Sequence, residues 1–120
     1  MLKGLAVLVL AMSLGADYAM ACSVPFIRTF DNQTVTGTLR TKAGRPCSIH
    51  LQRSFGPMHS AEIVRRPANG SVSVGATNRV TYLPRPGFTG QDSFTYARRG
   101  RDTRNNLVVR TVRVAVTVYP

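Results

Sequence analysis

The sequence predicts an all-β protein, an antiparallel β-sandwich of seven short strands preceded by a cleavable signal peptide. Apolar residues recur at every second position in several short runs, which is the period of a strand with one buried face. Clusters of Gly, Pro and Asn separate these runs, and no stretch keeps a helical apolar period across three turns. About 100 residues with this succession of strands and turns are typical of a two-sheet sandwich.

The seven predicted strands are separated by turn signals. The clearest strand comes last: its even positions hold valines and Arg110, and its odd positions hold mostly Thr, Arg113 and Ala115. Phe94 and Tyr96 share one face of the strand before it. The predicted strands are residues 34–39, 47–52, 61–65, 71–74, 79–83, 92–97 and 107–119, and the turns are residues 43–46, 55–57, 67–70, 75–78, 84–87 and 100–106.

Residues 1–21 are predicted to be a signal peptide. Lys3 precedes an aliphatic run over residues 5–16, and Ala-Met-Ala at 19–21 is the small-x-small pattern of a cleavage site. The run is too short to cross a bilayer. Cleavage would leave Cys22 first, so a lipidated Cys22 is an alternative. The third residue before this cysteine is alanine, however, where lipoproteins usually have leucine. We expect a secreted or periplasmic protein.

The predicted mature domain, residues 22–120, holds almost all of the charge. It keeps 15 of the 16 Lys and Arg residues and four of the five Asp and Glu residues, and only Lys42 among its bases is a lysine. The chain as a whole is 43% hydrophobic and 18% charged with a net charge of +11, which is a globular composition. Guanidinium groups suit phosphate, sulfate or carboxylate partners.

The chain has two cysteines, Cys22 and Cys47. In an oxidising compartment they favour a disulfide. Two alternatives stay open, which are a lipidated Cys22 with a free Cys47, and a metal site built from Cys47, His50 and His59. The second lacks a close-spaced ligand pair and a carboxylate, and we expect no metal site.

The second half of the chain resembles a known family. The runs PANGSVSV at 67–74, RVTYLP at 79–84 and PGFTGQDSFTY at 86–96, followed by the valine-rich strand, are similar to bacterial Ig-like, cadherin-like domains, which occur as tandem repeats in adhesins. The resemblance is strongest over residues 61–120. It implies an Ig-like sandwich acting as an exported binding or adhesion module. Members often bind calcium through Asp clusters, which this chain lacks.

The residues of this motif have structural roles by their chemistry. Gly87 and Gly90 allow positive φ, Pro84 stiffens the loop entry, and Phe88 can plug the end of the sandwich. Asp92 is expected to brace a turn. The complete set of predicted motif residues is Asn69, Gly70, Tyr82, Pro84, Gly87, Phe88, Gly90, Asp92, Phe94 and Tyr96.

No catalytic signature is present in the sequence. It contains no nucleophile elbow, no His-Glu-x-x-His and no phosphate-binding glycine loop, and its few carboxylates are far apart along the chain. We expect neither an enzyme nor a cofactor.

Arginine is concentrated between the last two predicted strands. If the strands run up and down, three connections meet at one end of the sandwich. This end is predicted to bind anions through Arg53, Arg79, Arg98, Arg99, Arg101 and Arg104. Aromatic residues do not alternate with these arginines, so nucleic acid is not favoured. The expected partner is an anionic cell-envelope polymer or a protein.

The second hypothesis is a structural role in assembly. Residues 108–118 form a long valine-rich strand. At the edge of a sheet, such a strand could pair with another chain by adding to its sheet.

Overall fold

The computed structural model describes residues 21–51, 58–75 and 78–120. These residues form eight β-strands and no helix, so no membrane-spanning helix lies among them. In chain order the strands are β1 (Cys22–Ser23), β2 (Thr34–Lys42), β3 (Cys47–His50), β4 (Met58–Arg65), β5 (Gly70–Gly75), β6 (Arg79–Pro84), β7 (Gly90–Arg101) and β8 (Leu107–Tyr119).

The strands form two sheets, as the sequence predicts for a sandwich. One sheet has the order β1-β2-β8-β7-β4 and the other has the order β3-β6-β5. Their inner faces share one apolar core, in which the Tyr82 and Phe94 rings from opposite sheets stack at 5.9 Å. Alternation places Val112, Val114 and Val116 of β8 in this core, fully buried.

The described residues contain one strand more than the seven predicted. The addition is β1, which pairs Cys22 with Thr41 and Ser23 with Arg40. A strand of two residues cannot show an alternating pattern, so the sequence carries no signal for it. Strand β7 is also longer than predicted, because it continues to Arg101 rather than ending at residue 97.

The expectation of a wholly antiparallel sandwich is wrong for one pair of strands. β2 and β8 are parallel, in register from Thr34 opposite Thr111 to Lys42 opposite Tyr119. Alternation shows which face of a strand is buried but not the direction of its neighbour. Short turns favour antiparallel pairing, but they say nothing about strands that are distant along the chain, such as β2 and β8.

The position of β8 contradicts the hypothesis that this strand is an edge for assembly. β8 lies in the centre of the five-stranded sheet, with nine residues paired to β2 and twelve to β7. Both of its backbone edges are therefore occupied within the chain. The valine-rich face of β8 packs on the core and is buried. β8 therefore offers a partner neither a free backbone edge nor an exposed apolar face.

The short connection between β6 and β7 shows which ends of the two sheets lie at the same end of the sandwich. β6 ends at Pro84 and β7 begins at Gly90, so these two strand ends lie together at one end of the sandwich. Arg79, which begins β6, and Arg101, which ends β7, therefore lie at the other end. We call this the hairpin end, after the turn of residues 102–106 between β7 and β8.

Candidate functional site

Two arginines face the interior of the sandwich near the hairpin end. Arg98 of β7 and Arg110 of β8 are directly opposite in register. Arg98 is 7% exposed and Arg110 is 8% exposed. Each follows the inward row of its strand, after Phe94 and Tyr96 in β7 and between Val108 and Val112 in β8.

The two arginines form one wall of a cavity of about 780 Å³. The other walls are strand β3 and the segment that leads from β1 towards β2. Both hydrophobic and polar residues line it. The described lining residues are Cys22, Val24, Pro25, Phe26, Ile27, Arg28, Thr29, Ser48, Ile49, His50, Leu51, Tyr96, Arg98 and Arg110.

The segment over the cavity, residues 24–33, is held down at two points. Asn32 adopts a left-handed conformation with φ of 59°, and its N–H donates to the Val109 carbonyl at 2.7 Å. The Val109 N–H donates in return to Asn32 Oδ1 at 3.1 Å. At the other point the Ile27 side chain lies directly over Gly37, where a Cβ would come within 2.5 Å of Ile27 Cδ1. The absence of a side chain at Gly37 therefore lets the segment sit close to β2.

This anchoring brings a carboxylate to one of the arginines. Arg110 Nε donates to Asp31 Oδ1 at 2.7 Å, and the Asp31 side chain remains 40% exposed. The ion pair therefore lies at the edge of the cavity and reaches solvent on the Asp31 side.

Burial dominates the electrostatics of the cavity wall. Loss of hydration lowers the pKa of Arg98, Tyr96 opposes this shift, and the neighbouring charge of Arg110 adds to it. Burial raises the pKa of Tyr96 to about 12, against the opposing effect of Arg98. At neutral pH Tyr96 is therefore an uncharged phenol beside two cationic side chains.

The structure shows where the arginines that are predicted to bind anions lie, and one of them, Arg98, is not on the surface. Arg79, Arg99, Arg101 and Arg104 are exposed at the hairpin end, whereas Arg98 faces the interior. Arg53 lies outside the described residues. The difference arises because the predicted strand ends at residue 97, whereas β7 continues through residues 98–101 with alternating faces.

Arg110 is not among the arginines that the sequence predicts to bind anions. The signal for its position was present, because it occupies an even position in a row of buried valines. Arg98 likewise follows Phe94 and Tyr96 at intervals of two. Both arginines occupy positions that alternation assigns to the buried face of their strand. This pattern could have identified them as inward-facing.

The exposed arginines differ in their local partners. Arg99 Nε donates to Glu62 Oε1 at 2.7 Å in a solvent-exposed ion pair. Arg101 Nη1 donates to the Asn105 carbonyl at 2.9 Å across the hairpin. Asp102 accepts hydrogen bonds from the backbone N–H groups of Arg104 and Asn106, and these lower its pKa. This carboxylate shapes the turn.

Asp92 is the centre of a hydrogen-bond network at the opposite end. It accepts from the N–H groups of Ala68, Asn69 and Ser93 at 3.1, 3.1 and 2.9 Å. The Tyr82 hydroxyl donates to Asp92 Oδ2 at 2.7 Å. Burial and the carboxylate together raise the pKa of Tyr82. Asp92 thus braces the turn before β5, the role that its sequence context predicts.

The other motif residues build the same end of the molecule. Gly87 and Gly90 have φ of 78° and 124°, and Phe88 packs against the core beneath the Arg85 guanidinium. Gly70 fits against the Tyr82 ring, where a Cβ would come within 2.9 Å. Pro84, at the end of β6, is buried.

Cys22 and Cys47 form a disulfide that joins β1 to β3, with their Cα atoms 5.4 Å apart. In this structure the bond excludes a lipidated Cys22. It also removes Cys47 as a thiolate ligand, so the alternative of a metal site with His50 and His59 loses one of its three ligands. The His59 side chain lies outside the described part of the chain. Within that part, no group of three or more His, Cys, Asp and Glu residues could hold a metal ion.

Comparison with known proteins identifies the fold family. A family model described as a bacterial Ig domain matches residues 23–115. The chain belongs to the bacterial Ig domain family. The resemblance stated from residues 61–120 is confirmed, and the match begins well before that range. No curated protein matches the chain.

Bacterial Ig domains are generally non-enzymatic and often extracellular. In this bacterial Ig domain the motif residues build one end of the scaffold, whereas the arginines described above lie at the hairpin end and around the cavity. The two arginine groups are separate. One is exposed to solvent around the hairpin, and the other, Arg98 and Arg110, is buried on the inner face of the five-stranded sheet.

Proposed function

We propose that this bacterial Ig domain is an exported, non-catalytic binding module that contacts anionic cell-envelope polymers through exposed arginines at the hairpin end. The residues that carry the contact are Arg79, Arg101 and Arg104, which are exposed. Arg99 is near them but is already paired with Glu62. Arg98 is not included because it is buried.

The observation that carries this proposal is that every carboxylate side chain in residues 22–120 already has a hydrogen-bond or ion-pair partner. There are only four of them, against 15 Lys and Arg residues. Asp92 and Asp102 are bound to backbone N–H groups, and Asp31 and Glu62 are each paired with one arginine. The remaining positive charge attracts polyanions over a distance set by ionic strength.

The same four carboxylates support a non-catalytic role. General acid–base chemistry needs a carboxylate or histidine positioned beside a second catalytic group. Each carboxylate here already serves a turn or an ion pair at a different place in the fold. The disulfide is consistent with export to an oxidising compartment.

Heparin chromatography with two charge-matched triple variants tests the proposal. The first variant is Arg79→Ser, Arg101→Ser, Arg104→Ser. The control is Lys42→Ser, Arg45→Ser, Arg85→Ser, which removes the same charge from the opposite end. We expect the first variant to elute at clearly lower salt than the control. The slope of log affinity against log salt should fall by about 2 to 3 for the first variant.

Equal elution of the two triple variants would show that retention follows net charge alone and would refute the proposed site. The proposal would also be refuted if the first variant eluted at the same salt concentration as the unmodified protein. If the protein then crosslinked to an envelope protein instead, a protein partner would replace the polymer.

A further inference from the structure

The cavity wall contains an unusual pair of like charges. Arg98 and Arg110 are directly opposite on neighbouring strands and both are buried. Like charges in opposed positions destabilise a sheet, and burial of a charged group is costly unless an opposite charge accompanies it. The mutual effect is visible in the pKa of Arg98, which Arg110 helps to lower. A folded domain with this arrangement gains stability from an anion between the two side chains.

The charge balance of the cavity is positive in residues 22–120. Asp31 pairs with Arg110 at the edge of the cavity. The other three carboxylates lie elsewhere, with Glu62 on Arg99, Asp92 on the turn before β5 and Asp102 in the hairpin. Both buried arginines make further interactions within the protein. The argument therefore rests on charge rather than on an unfilled hydrogen-bond donor. With Arg28, which is exposed but also lines the cavity, three guanidiniums and one carboxylate leave the cavity positively charged, which favours an anionic ligand.

The spacing of the two arginines suits a small planar anion. Directly opposed residues of antiparallel strands have Cα atoms about 5 Å apart, so their side chains leave the sheet next to each other. Guanidinium groups side by side can hold the two oxygens of one carboxylate, because the planar fork matches that group.

The remaining walls of the cavity are suited to an apolar group. Val24, Ile27, Ile49 and Leu51 present aliphatic side chains, and Tyr96 presents a phenol that stays neutral at physiological pH. The cavity, of about 780 Å³, lies within the roughly 300–1,000 Å³ range of ligand sites that combine apolar walls with a few polar groups.

We propose that this cavity binds a ligand that joins one carboxylate to an apolar body, with Arg98 and Arg110 holding the carboxylate and β3 and the 24–29 segment enclosing the apolar part. The site goes beyond the polymer contact proposed above, because it uses residues inside the sandwich. Two sources present this chemistry, which are the C-terminal residue of a peptide and a free apolar acid.

The test compares probes that differ in one group. N-acetylphenylalanine carries the carboxylate and the apolar body, N-acetylphenylalaninamide lacks the charge, and acetate lacks the apolar body. Titration calorimetry with the purified protein should give the first probe an affinity at least about tenfold above that of either other probe, the value of a charge-assisted hydrogen bond. Equal binding of the acid and the amide, or no binding of the acid at 10 mM, would overturn the proposal, as would equal binding of acetate.

Variants assign the contact to the two arginines. Arg98→Gln and Arg110→Gln should each weaken binding of N-acetylphenylalanine by about tenfold or more. The matched control is Arg99→Gln, which removes the same charge one residue away on the outer face and should leave binding unchanged. An equal loss in the control would show a general charge effect and refute the site. The comparison of acid and amide uses the unmodified protein, so it decides the proposal even if a buried variant fails to fold.

A further arm separates the two ligand sources. A tripeptide ending in phenylalanine with a free carboxylate is compared with N-acetylphenylalanine. Tighter binding of the tripeptide by tenfold or more supports a peptide C-terminus, and equal binding supports a free acid. The triple variant Arg79→Ser, Arg101→Ser, Arg104→Ser should bind both probes normally, so failure of the polymer proposal leaves this one standing.

Discussion

Tyr82 and Asp92 are joined by a 2.7 Å hydrogen bond that crosses from the three-stranded sheet to the five-stranded sheet. Tyr82 is fully buried and its ring stacks on Phe94, so its hydroxyl has one fixed direction. Asp92 receives that hydroxyl and also two N–H groups from residues 68 and 69. The pair therefore ties together two strands and a loop that are separate in sequence.

Replacing Asp92 with Asn should destabilise the protein strongly. The asparagine amide has one acceptor oxygen, whereas the carboxylate has two oxygens that share a negative charge. Some of the four donors that converge on Asp92 would therefore lose their acceptor. We expect a loss of about 2–3 kcal/mol in the free energy of unfolding, measured with urea. The control is Glu62→Gln, which removes an exposed ion pair and should cost at most about 1 kcal/mol. An equal effect of both changes would contradict a central role for Asp92.

The stability of the protein should fall at alkaline pH because of Tyr96. Burial raises its pKa from 10.0 to about 12, so the folded state keeps a proton that the unfolded state loses. This contribution is complete below about pH 10 and is lost as the pH rises towards 12, at about 1.4 kcal/mol per pH unit.

Urea unfolding of the unmodified protein and of Tyr96→Phe between pH 9 and 12 measures this effect. The variant should lose stability less steeply than the unmodified protein above pH 10. Parallel curves for the two proteins would show that Tyr96 ionises at an ordinary pKa in the folded state.

Removing the disulfide should lower stability without removing the fold. Cys22 and Cys47 are 25 residues apart, and a closed loop of that size is worth about 3 kcal/mol. The variant Cys22→Ser, Cys47→Ala should unfold at a correspondingly lower urea concentration. As a check, a reducing agent should destabilise the unmodified protein and leave this variant unaffected. A variant of unchanged stability would contradict a structural role for the bond.

We predict that the chain is exported and that processing removes residues 1–21. The mass of the mature protein is then that of residues 22–120, with no added lipid on Cys22. Ala21→Phe should block cleavage, because the peptidase needs a small residue at that position. Met20→Leu changes the variable position between the two alanines and should be processed normally. A lipid-sized mass increase, or cleavage of Ala21→Phe, would refute the prediction.

The scaffold could be predicted because its signals are local. Phe94, Tyr96 and the valines of β8 alternate with polar residues, and that period predicts strands and their buried faces directly. The glycines and prolines between strands mark the turns for the same reason. Asp92 could be placed in a turn-bracing role from its motif, but its partner Tyr82 could not be identified, because that contact depends on how two sheets meet.

The candidate site was only partly predictable, as Arg98 and Arg110 show. Each keeps the phase of a buried row, so alternation alone predicts that it faces inward. An arginine is usually exposed, and this expectation about residue type outweighed the phase. That the two lie opposite each other is a matter of register between strands.

By itself, the sequence determined that this protein is an all-β bacterial Ig domain and that residues 22–120 are strongly basic. These properties follow from composition, from the period of two and from a contiguous motif. The tertiary structure alone decided that β2 and β8 run parallel, that β8 is central and that two arginines meet inside the sandwich. Strand direction, neighbour and register depend on residues distant along the chain, so no local pattern encodes them.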